Sequence, residues 1–309
     1  MAKNVSLPDP YVLGGCVYYS QNREDLVLLS FFPDIRKGFY VDVGAFDPDV
    51  DSVTKLFYLQ GWNGVNVEPQ AERFALFEKL RPRDLNVNAG ISTEETTLTL
   101  RTYKSQGLST FSDEIKVDYE KTPNANTGEY TETTVPVRPL KSVLAEQKVP
   151  HIHFMKVDVE GLEYEVLASN DWRKFRPEVL CIEANHVKHD WHPLLEKEGY
   201  VLAFDDGLNE YFVDSTTDRL KKFNYVEDVI TQRGGGLRAE HYEMMLQLHQ
   251  FGLQKENHVR ELATENNRLM GIIKEYEHRL HEYQMAQNSL KQTAGRLAHL
   301  TTRKITGKK

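Results

Sequence analysis

The chain has 309 residues, of which 40% are hydrophobic, 27% charged and 10% aromatic, with a formal charge of −8. This composition excludes wholesale disorder and collagen-like or mucin-like repeats, and a pI near 5.8 argues against a surface built throughout for nucleic acid. The length accommodates one large domain plus an appendage. Two cysteines, Cys16 and Cys181, are too few for a disulfide framework or a cysteine zinc site and fit a reducing cytoplasm. Pro8 and Pro10 fall where a secretion signal would need an apolar run. No stretch of about 18 apolar residues offers a membrane-spanning helix.

In chain order, β-rich runs are predicted over 39–43 (FYVDV), 64–68 (GVNVE), 85–89 (LNVNA), 152–159 (IHFMKVDV) and 179–184 (VLCIEA). Helical stretches over 52–60, 70–80 and 162–168 lie between them. Alternation of this kind builds a parallel sheet with helices on both faces, because parallel strands require crossovers. Residues 201–204 and 210–213, separated by Asp205-Asp206-Gly207-Leu208-Asn209, read as an antiparallel edge hairpin. The Thr-rich segment 96–137, with Pro123, Asn124, Asn126 and Gly128, reads as a long irregular insertion covering the sheet, the usual form of an active-site cover or binding loop.

The triple glycine Gly234-Gly235-Gly236 marks a change of character. It divides an α/β domain, 1–233, from a helical region, 237–309. With Val259 at heptad position a, the a series runs Val259, Asn266, Ile273, Leu280, Gln287, Ala294 and the d series Leu262, Leu269, Tyr276, Tyr283, Leu290, Leu297. Every d position is apolar or aromatic, and Leu at d with one Asn at a favours a parallel two-stranded coiled coil. Self-association as a dimer is the expectation, against the alternative of an amphipathic helix lying on its own domain. After Glu282 only basic charges follow, from Lys291 to Lys309. Such a tail suits either the negative end of a helix dipole or an anionic membrane face or acidic partner.

The chemistry concentrates at strand ends. The first strand ends in Asp42-Val43-Gly44-Ala45-Phe46-Asp47-Pro48, and a glycine there lets a ligand approach the backbone at the sheet's carboxyl edge. Neither GxGxxG nor GxxxxGK[ST] is present, so NAD and ATP lose their phosphate cradles. A nucleoside without phosphates fits better. Asp42 offers a carboxylate to an ammonium group, and Glu68 ends the second strand at the interval where an acid takes ribose hydroxyls; together they suggest S-adenosylmethionine. Alternation along 152–159 puts Lys156, Asp158 and Glu160 on one face. The next strand leaves the core through Glu183-Ala184-Asn185-His186, with His189, Asp190 and His192 behind it. These groups suit general-base work or a divalent metal site.

From about Tyr19 to Phe223 the chain resembles the FkbM-type methyltransferases, which are class I S-adenosylmethionine-dependent O-methyltransferases. The resemblance rests on Ser20-Gln21 with Glu24-Asp25, VDVGAFDP, Gly61-Trp62-Asn63-Gly64 leading into NVEP, Arg81-Pro82, Asn88-Ala89, Gly107-Leu108-Ser109-Thr110, KVDVEGLE, Arg176-Pro177 and Asp206-Gly207-Leu208-Asn209. It implies a Rossmann-like α/β sheet with helices on both faces, to which the α-helical coiled coil would be an addition. It also implies that Asp42, Gly44 and Ala45 line the methionine end of the cofactor, Glu68 the ribose and Asn88 the adenine side. Gln21 would lie near the entrance and Asp158 beside the reacting methyl. The expected reaction is methylation of a hydroxyl on a sugar of a polysaccharide or glycolipid, with Asp158, Glu183 and His186 as the catalytic group, acting as a base or around a divalent metal. Alternatives are methylation of a small natural product and an inactive methyltransferase-like scaffold. The basic tail would hold the enzyme near the cytoplasmic membrane face or a glycan-assembly complex.

Overall fold

The computed structural model describes residues 17–104, 108–121, 127–187, 189–225, 237–240, 267–285 and 287. In chain order these form β1 (Val17–Tyr18), α1 (Glu24–Phe31), β2 (Phe39–Val43), α2 (Lys55–Leu59), β3 (Asn63–Val67), α3 (Ala71–Leu80), β4 (Leu85–Val87), β5 (Gly90–Ile91), β6 (Thr96–Tyr103), β7 (Ser109–Thr110), α4 (Asp113–Lys121), β8 (Tyr130–Arg138) and α5 (Leu140–Glu146). There follow β9 (Phe154–Val157), α6 (Glu163–Ala168), β10 (Val179–Glu183), α7 (His192–Lys197), β11 (Tyr200–Asp205), β12 (Asn209–Asp214), α8 (Arg219–Lys222) and β13 (Leu237–Arg238), then a helix over 267–285.

The central sheet has seven strands in the order β11-β12-β10-β9-β2-β3-β4. The ladders among β10, β9, β2, β3 and β4 are parallel, and β12 runs antiparallel to both β10 and β11. Near-continuous apolar strands such as Val179–Ile182 fit a sheet covered on both faces. Tyr40 and Phe154 pack with α1, α2 and Trp62 on one face, while Val41, Val43, Met155 and Val157 pack with α5 and α6 on the other. Successive crossovers diverge between β2 and β9, which opens a crevice at their carboxyl ends.

The predicted strands and helices of the central sheet are all present, within a few residues of their expected bounds. The run expected over 152–159 is shorter: β9 stops at Val157 and the chain turns through Glu160 and Gly161, both at positive φ. The insertion differs more. Instead of an irregular cover, 96–137 holds β6 and β8 as an antiparallel pair from Thr96↔Val137 to Tyr103↔Tyr130, flanked by β5 and β7, with α4 between. The alternation of Thr with Leu98 and Leu100 is a period-2 pattern of β-branched and apolar residues, the physical basis of this second sheet.

Leu237–Arg238, beyond the expected boundary, pairs in parallel with Val17–Tyr18. Within 267–285 the coiled-coil seam residues Tyr276, Leu280 and Tyr283 turn toward the α/β domain. The Tyr276 hydroxyl lies 2.6 Å from that of Tyr18, and the Arg23 guanidinium sits over the rings of both Tyr18 and Tyr276. Leu280 packs against the core, whereas Ile273, another seam position, is 49% exposed. The other heptad positions, Val259, Leu262, Asn266, Leu290, Ala294 and Leu297, lie outside the described residues, as does the basic tail. Among the described residues no helix is long and apolar enough to cross a membrane.

Candidate active site

Gly44, at φ +76°, turns the chain immediately after β2. A Cβ on Gly44 would lie 1.7 Å from the Asp158 carbonyl oxygen, so the turns after β2 and β9 meet backbone to backbone and only glycine fits. The N–H groups of Gly44 and Ala45 both donate to the Val67 carbonyl at 3.1 Å. Phe46 N–H and Gln70 N–H each donate to one Glu68 carboxylate oxygen at 2.8 Å. Glu68 is buried, and burial pushes its carboxyl up to about 7.

Asp42 lies one layer below. It is 1% exposed, accepts a hydrogen bond from the Thr54 hydroxyl at 3.0 Å, and stands 3.7 Å from the Lys156 ammonium. Alternation along β2 turns it, with Tyr40, toward the α2 face of the sheet. Lys156 donates to the Gly44 carbonyl at 2.9 Å and reaches Asp158 at 3.1 Å. A buried lysine thus ties both acids to the glycine turn. Burial pushes the Asp42 carboxyl up, against the pull of Lys156.

Gln21, Gly44, Ala45, Glu68, Asp158, Glu183 and His186 line one cleft of about 380 Å³. The insertion supplies part of its wall through Leu100, Leu108, Ser109 and Phe111. Asp42 and Asn88, expected to contact the cofactor, are not lining residues. Asp42 anchors Lys156 from beneath. Asn88 donates to the carbonyls of Glu68 and Pro69 at 2.9 and 3.0 Å and so shapes the turn that carries Glu68. The adjacent Ala89, Gly90 and Ile91 form the wall instead.

At the other end, oxygens of Asp158, Glu160 and Glu183 lie within 4.8 Å of one another. Burial and the negative charges of Asp158 and Glu160 push Glu183 far up. Burial, then Asp158 and Glu163, also push Glu160 up. Burial opposes ionisation of Asp158, but the Lys156 ammonium and a hydrogen bond from Glu183 hold it below the ordinary range. The group is therefore an ionised Asp158 accepting a hydrogen bond from Glu183, whose carboxyl is biased toward its neutral form, with Glu160 able to take or release a proton near neutrality. Asn185 Nδ2 donates to Glu183 at 3.1 Å. His186 Nε2 is 3.5 Å from Glu160 and 3.3 Å from the Tyr119 hydroxyl. The Glu163 carboxylate, accepting from the N–H groups of Val159 and Gly161 at 3.1 Å each, braces the turn.

Two groups were missed in the sequence. Glu160 was visible on the face shared with Lys156 and Asp158 but had no assigned duty. Tyr119 comes from α4, and its only signal was its place in the insertion. His189 pairs with Glu165 and His192 with Asp190 and Glu210, so neither joins the acidic cluster. A second donor group, His151, His153 and Glu178, lies at the opposite end of β9. There His153 Nδ1 accepts the Phe39 N–H at 3.0 Å, which leaves the neutral ring's proton on Nε2, where it blocks coordination.

The cleft fits a nucleoside-bearing cofactor: a glycine turn too tight for any side chain, a buried acid on the second strand and no phosphate cradle. A family model described as the methyltransferase FkbM domain matches residues 42–202. Among solved structures, the C-terminal domain of precorrin-6Y C5,15-methyltransferase from Rhodobacter capsulatus is similar at 12% identity and a TM-score of 0.31, over 63% of this chain and 91% of that one. No curated protein matches. With the family model spanning more than half of its length and the predicted cleft at the carboxyl ends of β2, β3, β9 and β10, the chain belongs to the FkbM methyltransferase family.

Proposed function

We propose that the chain methylates a hydroxyl of a sugar, in a polysaccharide or glycolipid, with S-adenosylmethionine as donor. The observation that carries this reading is the acidic group beside the glycine turn. An alcohol is a poor nucleophile until its proton is removed, and a cluster holding carboxylates in opposite protonation states serves that purpose. Several acceptors and donors around one small space also suit a polyhydroxylated ligand.

Glu68 would hold the ribose hydroxyls, and Gly44 and Ala45 would border the methionine portion. When bound, the cofactor supplies an electrophilic methyl on a sulfonium, which departs as a neutral thioether. The protein's share is alignment and proton removal. Asp158, ionised and tied to Lys156, is a weak base suited to orienting the acceptor hydroxyl. Burial and the neighbouring acids bias Glu183 toward its neutral form. That leaves Glu160, with His186 beside it and Tyr119 behind, to accept the hydroxyl proton as the carbon–oxygen bond forms.

Lys156, 3.1 Å from Asp158, already supplies a positive charge beside the acids, which favours a base over a divalent ion held by Asp158, Glu160 and Glu183. The same clustering argues against an inactive scaffold, which gains nothing from desolvated carboxylates. Self-association through the heptad positions before 267 and after 285, and contact with an anionic membrane face through the basic residues after Glu282, belong to the same reading. Incubating the protein with methyl-labelled S-adenosylmethionine and a panel of defined glycans tests it: label recovered as a sugar methyl ether supports the proposal, and label recovered only on non-carbohydrate acceptors refutes it.

A further inference from the structure

The helix over 267–285 creates a second cleft, of about 750 Å³, against the β11–β12 turn. Aromatic rings from both sides line it: Phe204 and Tyr225 from the α/β domain and Tyr283 from the helix. Asp205, Arg279 and Gln284 place a carboxylate, a guanidinium and an amide around them. Flat apolar rings with polar groups at their edges match a sugar, which presents C–H groups on its faces and hydroxyls around its rim.

This cleft neighbours the candidate active site. Asn22 and Gly207 line it, whereas the adjoining residues Gln21 and Leu208 line the first cleft. Two dipeptides therefore form a thin partition between the clefts. The partition is built rigidly. Asp206 accepts the N–H groups of Leu208 and Asn209 at 2.9 and 2.7 Å, and Asn209 Nδ2 reaches Glu24 at 3.3 Å. The helix is fixed over it by the Tyr18–Tyr276 hydrogen bond and by Arg23, whose guanidinium lies 4.6 Å from the Tyr276 ring centroid.

We propose that the second cleft is an extension subsite for a carbohydrate acceptor: it holds two or more sugar rings beyond the unit that is methylated in the first cleft. This rests on the sugar reading above and adds that the enzyme acts on an oligomer and measures it with its own C-terminal helix. The helix stripe that the heptad spacing assigned to a partner helix then serves the substrate through Tyr283, while Tyr276 fixes its position.

The full chain, saturated with S-adenosylhomocysteine, is screened on an array of defined oligosaccharides. The best-bound oligosaccharide, the methyl glycoside of its terminal sugar and the octyl glycoside of that sugar are then titrated in a calorimeter. The expected result is an oligosaccharide bound at least about tenfold more tightly than the methyl glycoside, an advantage of about 1.4 kcal/mol. Phe204→Ala and Gln284→Ala should each reduce that ratio toward one while leaving S-adenosylhomocysteine affinity unchanged. A parent ratio near one, or a ratio that survives both variants, overturns the subsite and leaves sugar methylation standing. Gain of affinity from the octyl chain instead of added sugars assigns the cleft to lipid and also overturns it. Absence of binding to any glycan removes the sugar reading and the subsite together.

Discussion

Replacing Lys156 with Met tests how the acid-lined cleft is held together. The ammonium stands 3.1 Å from Asp158 and 3.7 Å from Asp42 and donates to the Gly44 carbonyl at 2.9 Å. With an effective dielectric of about 20, those separations correspond to attractions of roughly 5 and roughly 4 kcal/mol before desolvation is charged against them. The side chain of Asp158 is 33% exposed, so solvent screens its share, whereas Asp42 is 1% exposed and has nowhere to turn. Removing one partner of a buried pair costs about 3–5 kcal/mol because the other charge is stranded, and the lower end applies here. In a chain this size about 3 kcal/mol lowers Tm by roughly 6–12 °C. The sign of the pH dependence is fixed as well. In the variant, Asp42 has lost its counter-charge, its folded-state pKa rises further, and protonation relieves the strain, so the deficit relative to the parent shrinks as pH falls and grows as pH rises. Combining Lys156→Met with Asp42→Asn should recover part of the loss. Urea unfolding of the parent, the two single variants and the double variant, at several pH values, measures both quantities. A single variant within about 0.5 kcal/mol of the parent at every pH would show that the lysine holds nothing, since that is the range of an ordinary surface change.

Other expectations follow from the same geometry. Gly44→Ala should abolish S-adenosylhomocysteine binding, because its Cβ would stand 1.7 Å from a carbonyl oxygen at φ +76°; calorimetry on the purified variant, with circular dichroism to follow its fold, checks this. Ribose hydroxyls favour the ionised form of Glu68, whose carboxyl rests at about 7 when free. Binding should therefore release a proton, affinity should rise by up to about tenfold between about pH 6 and about pH 8, and Glu68→Gln should flatten that dependence. Glu160→Gln should lower kcat by about 10²–10⁴-fold with S-adenosylhomocysteine affinity unchanged, as loss of a general base does; Tyr119→Phe should cost less and shift the pH profile. Activity should survive exhaustive chelation, and its complete loss with recovery on adding Mg²⁺ would restore the metal reading of Asp158, Glu160 and Glu183.

The central sheet was legible because its apolar runs alternate with helical stretches and end in charged residues that have no place in a core. Gly44, Glu68, Asp158, Glu183 and His186 were each placed at one cleft by nothing more than their position at strand ends. Asp42 was not, since strand alternation places it on the α2 face, where Thr54 and Lys156 enclose it, and the partner on an adjacent helix is invisible in a linear pattern. Asn88 stands outside the lining for a similar reason: its amide is held by the carbonyls of Glu68 and Pro69, a pairing that a linear pattern does not show. The strands of the insertion carry a signal of their own, a period of two over Thr96–Leu100, but the surrounding Pro, Asn and Gly mask it and hide Tyr119 on α4 with it. Tyr276, Leu280 and Tyr283 meet the α/β domain from one helix face, but periodicity alone does not name the surface a stripe covers. A second helix and the rim of Tyr18, Arg23 and Phe204 satisfy it equally.

Calorimetric titration of the purified full chain with S-adenosylhomocysteine tests the assignment of the cleft at its root. One site of micromolar affinity in the parent, lost in Glu68→Ala with the fold intact, is the predicted result. A folded parent that takes up no S-adenosylhomocysteine would contradict it and leave the carboxylates of Glu68, Asp158, Glu160 and Glu183 without the chemistry assigned to them.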